Sequence, residues 1–135
     1  ETAAQKNAGT LEVEYVPQGT LAERIRAYGA GLGGVLTPTG LGTMIQDGKQ
    51  IVNVDGKDYI LEKPLKADIA FLRANIVDEE GNMVFLGTSQ NFNPLMAMAA
   101  DYVVVETEKL VKKGEIAPEQ IHASGIFVDG IYLEK

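Results

Sequence analysis

Residues 29–43, GAGLGGVLTPTGLGT, carry six glycines and one proline around a single short apolar stretch, Val35-Leu36. A segment of this kind cannot be a long helix, because glycine costs about 1 kcal/mol at each helical position. What it can do is bring backbone amides close to a ligand or to another chain. With Gly19 added, seven of the chain's 15 glycines fall in residues 17–43, after a strand-like run and around a helix signal. Ligand sites in open α/β sheets sit at such strand ends. The segment is not a phosphate-binding P-loop, since no Gly-Lys-Ser/Thr follows the glycines. Nor is it the dinucleotide fingerprint, because here the helix precedes the loop.

The flanking sequence supplies the elements. Leu11, Val13 and Tyr15 alternate with Glu12 and Glu14, which predicts a half-buried strand over 11–16 ended by Pro17. Thr20 stands three residues before Glu23, the spacing of a capping box, and Leu21, Ile25 and Tyr28 follow at helical spacing, so a helix is expected over 20–28 with Gly29 as its left-handed cap. Asp55-Gly56 between Ile51–Val54 and Tyr59–Leu61 signals a tight hairpin. A central strand is expected over 69–77, and the turn 78–82 leads into a second strand at 83–86. Asn93-Pro94 opens a helix, with Asn93 as its cap, whose body at 95–100 is apolar all round. Val103–Val105 after Tyr102 reads as a strand covered on both faces. A loop at 112–114, a helical turn at 117–120 and a closing strand pair at 126–128 and 131–133 complete the pattern. The expected fold class is α/β, an open mixed sheet with flanking helices and β-hairpins, in a single domain over 1–135.

Composition narrows function by exclusion. Of 135 residues, 45% are hydrophobic and 23% charged, and 19 acids against 12 bases leave a net charge of −7. That balance argues against a nucleic-acid surface, which needs clustered Lys and Arg. No apolar run approaches the ~20 residues of a membrane helix. Zero cysteines exclude disulfides and thiolate catalysis, and with one histidine a multi-His metal site is excluded too. The chain opens Glu1-Thr2-Ala3 without an initiator Met or a signal pattern, so it reads as a fragment of a longer protein, and a cytoplasmic location is expected.

Residues 17–43 as a whole, PQGTLAERIRAYGAGLGGVLTPTGLGT, resemble the α subunit of family I coenzyme A transferases of the acetate, acetoacetate or 3-oxoacid type. The likeness continues in order through the hairpin, Leu65–Ala70, the Gly81-Asn82 turn, Asn91–Pro94 and Ile121–Asp129. The resemblance implies an open α/β fold shared with ribose-5-phosphate isomerase-like enzymes and an α/β subunit pair, commonly α2β2. It implies ping-pong acyl transfer between an acyl-CoA and a short-chain carboxylate, with coenzyme A as substrate and no cofactor. The nucleophilic glutamate belongs to a Ser-Glu-Asn-Gly-type motif of the β subunit, so no catalytic residue is expected in this chain. Glu80-Gly81-Asn82 comes near that motif but lines up with the family's hairpin turn.

The same resemblance implies substrate-binding roles for Gln18 and its neighbour Gly19, and for the small-residue loop Gly29, Ala30 and Gly31, expected near the same acyl pocket. On the residues alone, Gln18 is an ordinary loop residue before a helix. Tyr28 stands where the family usually has glycine and either narrows the pocket or packs on the helix. Asn91 and Asn93 read as a turn and a helix cap, and His122 as a structural or surface residue. The family's N-terminal strand-turn-helix with its Gly-Gly-Phe loop is missing from the sequence, so the chain is expected to hold only part of a sheet and part of a site. Two other readings stay open. A sugar-phosphate isomerase or deaminase would require a phosphate clamp of Ser, Thr and Lys around a glycine loop, and 29–43 supplies two threonines before Gly42 but no lysine. A non-catalytic interaction domain would account for the missing nucleophile–base pair.

Overall fold

The computed structural model describes residues 1–134. Its elements run α1 (Thr2–Asn7), α2 (Gln18–Gly29), β1 (Val35–Thr37), β2 (Ile51–Val54), β3 (Lys57–Glu62), β4 (Ala67–Asp78), β5 (Met83–Val84), α3 (Asn93–Ala97), β6 (Ala100–Val111) and β7 (Gly130–Leu133), with four short 3-10 turns between them. They form two open sheets. One is antiparallel, in the order β1-β3-β2, and the other is mixed, in the order β5-β4-β6-β7. The α/β class and the open sheets agree with the sequence reading.

The second sheet is the backbone of the molecule. Strands β4 and β6 pair in parallel from Ala67 opposite Ala100 to Asp78 opposite Val111. One face is closed: Ala70, Leu72, Ala74, Val77, Val103 and Val105 pack with Met83, Phe85, Ala97 and Ala123. The opposite face presents Ile69, Phe71, Tyr102 and Tyr132, all exposed. The strand at 102–105 is therefore covered on one face, not both, because α3 and the 118–128 segment pack on the same side. The β-branched run alone could not distinguish these cases.

The Asp55-Gly56 hairpin forms as expected, with φ of +50° and +82° and the Gly56 amide donating to Asn53 Oδ1 at 3.0 Å. The second hairpin also forms, although β5 is only two residues long. The turn Pro118–Gln120 is present. Residues 11–16 do not form a strand. Their alternation is real, but they pair with no strand among the described residues, and Tyr15 instead accepts from Lys6 Nζ at 2.6 Å. Residues 125–127 are a 3-10 turn in place of a strand, since the Ser124 hydroxyl accepts from the Ile126 amide at 3.3 Å. The expected helix at 95–100 stops at Ala97, and Asn93 lies inside it, not at its cap. The Asn93 side chain accepts from the Arg73 amide and donates to Ser89 O, tying α3 to β4.

The turn Asp78–Asn82 is a structural clamp. Buried Asp78 accepts from the Glu80 and Asn82 amides and from Asn82 Nδ2, each at 2.9 Å. Asn82 Oδ1 in turn accepts from the Gly125 amide at 2.9 Å. A Cβ on Gly125 would lie 1.9 Å from Glu80 O. Gly125→Ala is thus expected to destabilise the fold by about 3 kcal/mol, since backbone cannot yield as a side chain does. Urea unfolding checks this, and an unchanged midpoint would show that the two backbones separate freely.

Candidate functional site

The most open set of hydrogen-bond donors lies at the start of α2. Pro17, at φ −56° and ψ 140°, occupies the cap position, so the helix begins at Gln18, two residues earlier than expected. The first helical bond runs from the Leu21 amide to Pro17 O at 2.9 Å. The amides of Gln18, Gly19 and Thr20 consequently have no acceptor among the described residues. The Thr20–Glu23 capping box does not form: no side chain caps α2. Thr20 is instead buried, at 6% exposure, and its hydroxyl has no hydrogen-bond partner among the described residues. Glu23 is taken by Arg26, whose Nε donates to both carboxylate oxygens at 3.1 and 3.3 Å.

Gln18 and Gly19 are both exposed, and nothing lies within 4 Å of where a Cβ on Gly19 would be. Beside them is a recess of about 610 Å³ between α2 and β1, lined by Pro17, Gly19 and Thr20 on one side and Val35, Leu36 and Thr37 on the other. Thr37 Oγ1 accepts from the Thr39 amide at 3.1 Å, which leaves its own proton free. Thr20 and Thr37 are the residues that the sequence reading missed. Thr20 was legible only as a capping residue, and Thr37 only as one of two threonines in the glycine-rich segment.

Gly29, Ala30 and Gly31 lie at the other end of α2, about 16 Å away along the axis at 1.5 Å per residue. They do not line the recess beside Gln18. Gly29 has a packing role, since a Cβ there would meet Met98 Cβ at 2.5 Å. Gly29 is also not the left-handed cap. That position is Gly31, at φ +68°, with the Leu32 amide reaching back to Ala27 O at 2.8 Å. Ala30 and Gly31 are exposed.

Helix α2 is anchored by charge as well as packing. Arg24 donates to Lys63 O at 2.9 Å and to Glu14 at 3.0 Å, and the neighbouring Lys49 pairs with buried Glu62 at 2.7 Å. These bonds fix the helix to the three-stranded sheet and to the 11–17 loop. His122, the single histidine, accepts from the Phe85 amide through Nδ1 at 3.0 Å and stacks on the Phe85 ring, which is a structural role. It borders a cleft of about 760 Å³ with Lys109, Glu115 and Glu119. Glu80 is on the surface, paired with Lys113 Nζ at 2.5 Å, and that hydrogen bond holds the Lys113 ammonium above its usual pKa. Among the described residues no group of His, Asp or Glu could hold a metal ion, and no helix is long and apolar enough to cross a membrane.

Comparison with known proteins fixes the family. A coenzyme A transferase family model matches residues 1–134, and the chain belongs to that family. It is 47% identical to the acetate CoA-transferase subunit alpha of Escherichia coli K12, over 100% of this chain and 61% of that protein. It is 53% identical to the acetoacetyl-CoA:acetate/butyrate CoA transferase alpha subunit of Clostridium acetobutylicum, over 92% of this chain and 57% of that protein. Among solved structures, an acyl-CoA transferase of Escherichia coli O157:H7, in a thioester complex with CoA, superposes with a TM-score of 0.87 at 25% identity, covering 98% of this chain and 30% of that one. The chain thus spans well under two thirds of the length of these relatives.

Proposed function

We propose that this chain is part of the α subunit of a cytoplasmic CoA-transferase, one that moves CoA between an acyl-CoA of acetyl, butyryl or acetoacetyl type and a free short-chain carboxylic acid. The observation that carries the reading is the exposed first turn of α2, where Gln18 and three unpaired amides stand beside an open recess lined by Pro17, Gly19 and Thr20. The alpha-subunit relatives support a β-subunit partner, and the family pattern supports an α2β2 assembly. A glutamate of that partner attacks the thioester carbonyl carbon; the C–S bond breaks and an acyl-glutamyl anhydride forms. The released CoA thiolate then attacks the glutamyl carbonyl, expelling the first carboxylate and leaving a glutamyl-CoA thioester. The incoming acid reverses the sequence. This divides one difficult exchange into easier steps and uses CoA as substrate with no further cofactor.

In this scheme the chain supplies a wall rather than a nucleophile. The Gln18 amide donates to the substrate oxygen without titrating, and a preorganised donor of this kind contributes about 3 kcal/mol where negative charge develops. Gly19 leaves the approach clear of side chains. Gly29, Ala30 and Gly31 serve the same substrate only at its far end, since α2 separates them from Gln18 by about 16 Å; an extended CoA is long enough to reach both. Gln18→Ala is expected to lower turnover of the assembled enzyme more than tenfold, read by steady-state kinetics, and an unchanged rate would remove Gln18 from the site. Glu80→Gln is expected to leave turnover near wild type, because Glu80 pairs with Lys113 at the surface; loss of turnover there would relocate the nucleophile into this chain.

A further inference from the structure

Resting on the transferase reading above, we infer that Thr20 is a substrate-positioning residue: its hydroxyl, with the first-turn amides of α2 and the Thr37 hydroxyl, forms the seat for the carboxylate of the free acid. Thr20 is 6% exposed, yet its hydroxyl meets no acceptor or donor among the described residues. An unpaired hydroxyl sealed in the interior is costly, and no side-chain oxygen or nitrogen among the described residues is both sealed and unpaired. The Thr20 hydroxyl therefore keeps a residual opening, and Thr20 is one of the residues that line the recess.

The chemistry of the lining selects the ligand. Three amides at the positive end of a 12-residue helix, together with two hydroxyl protons, match the oxygens of an anion. No lysine or arginine lines the recess, which disfavours a phosphate and suits a single carboxylate. Val35 and Leu36 make the opposite wall apolar, as a short alkyl tail requires. The one carboxylate in the lining, Glu23, is paired with Arg26 through both of its oxygens.

Thr20→Val, which keeps the shape and removes the hydroxyl, tests this in the full-length subunit assembled with its partner. The KM for the free acid is expected to rise about tenfold, as loss of a hydrogen bond to a charged group requires, with the KM for acyl-CoA little changed. Thr20→Ser should restore the wild-type value. If the wild-type assembly transfers CoA and Thr20→Val leaves the KM for the acid unchanged, the carboxylate seat is overturned and the transferase reading stands. A wild-type assembly that transfers no CoA overturns both. A second measurement holds even where the valine variant fails to assemble. Propionate titrated into the wild-type assembly should shift the methyl resonance of Thr20 to saturation, and a resonance that stays fixed overturns the seat.

Discussion

Parallel pairing of β4 with β6 is the constraint on which the rest depends. Twelve residues of each strand run side by side, and the chain between them must cross over one face of the sheet to make that pairing possible. The crossover carries β5, the 3-10 turn at 87–90 and α3, and its apolar residues close the core face. The Asp78–Asn82 clamp fixes one end of this arrangement to the 123–128 segment. At the other end the Ala67 amide bonds Ala99 O at 2.9 Å, so the crossover begins and ends on defined bonds.

The donor-rich end of α2 exists because that helix is held from behind. Leu65, just before β4, donates to Arg24 O at 3.0 Å, and Met98 fills the space that Gly29 leaves. The Lys49–Glu62 pair is buried on the glutamate side, so losing Lys49 would strand the Glu62 charge. Such anchoring holds the helix in place, while its start at Pro17 leaves the first-turn amides unpaired. A rigid donor set of this kind stabilises a developing charge without having to reorganise at the moment of reaction.

How much of this was legible varied with how local the signal was. Asp55-Gly56 specifies its own turn, since both residues must adopt positive φ, and the hairpin appeared as expected. The helix after Pro17 was legible too, but its start was not. The Thr20–Glu23 spacing fits a capping box, whereas the fixed φ of Pro17 begins the helix at Gln18 and buries Thr20 within the first turn. Residues 11–16 alternate correctly for a strand that has no partner here, and pairing is a non-local fact that periodicity cannot carry. Of the candidate site, Gln18 and Gly19 are singled out by family resemblance alone. Gly29 reads as the left-handed cap from its place after the helix, but its packing against Met98 is a tertiary contact that no local pattern carries, and the positive φ falls at Gly31.

The proposed mechanism is a division of labour, in which these residues would orient an acyl group and a carboxylate on another subunit would form the covalent bond. Intact-mass analysis of the assembled enzyme after brief exposure to acyl-CoA measures this directly. The mass of bound CoA is expected on the partner chain and on no residue of this one. A CoA adduct on Glu23, Glu80 or any other carboxylate of this chain would contradict it.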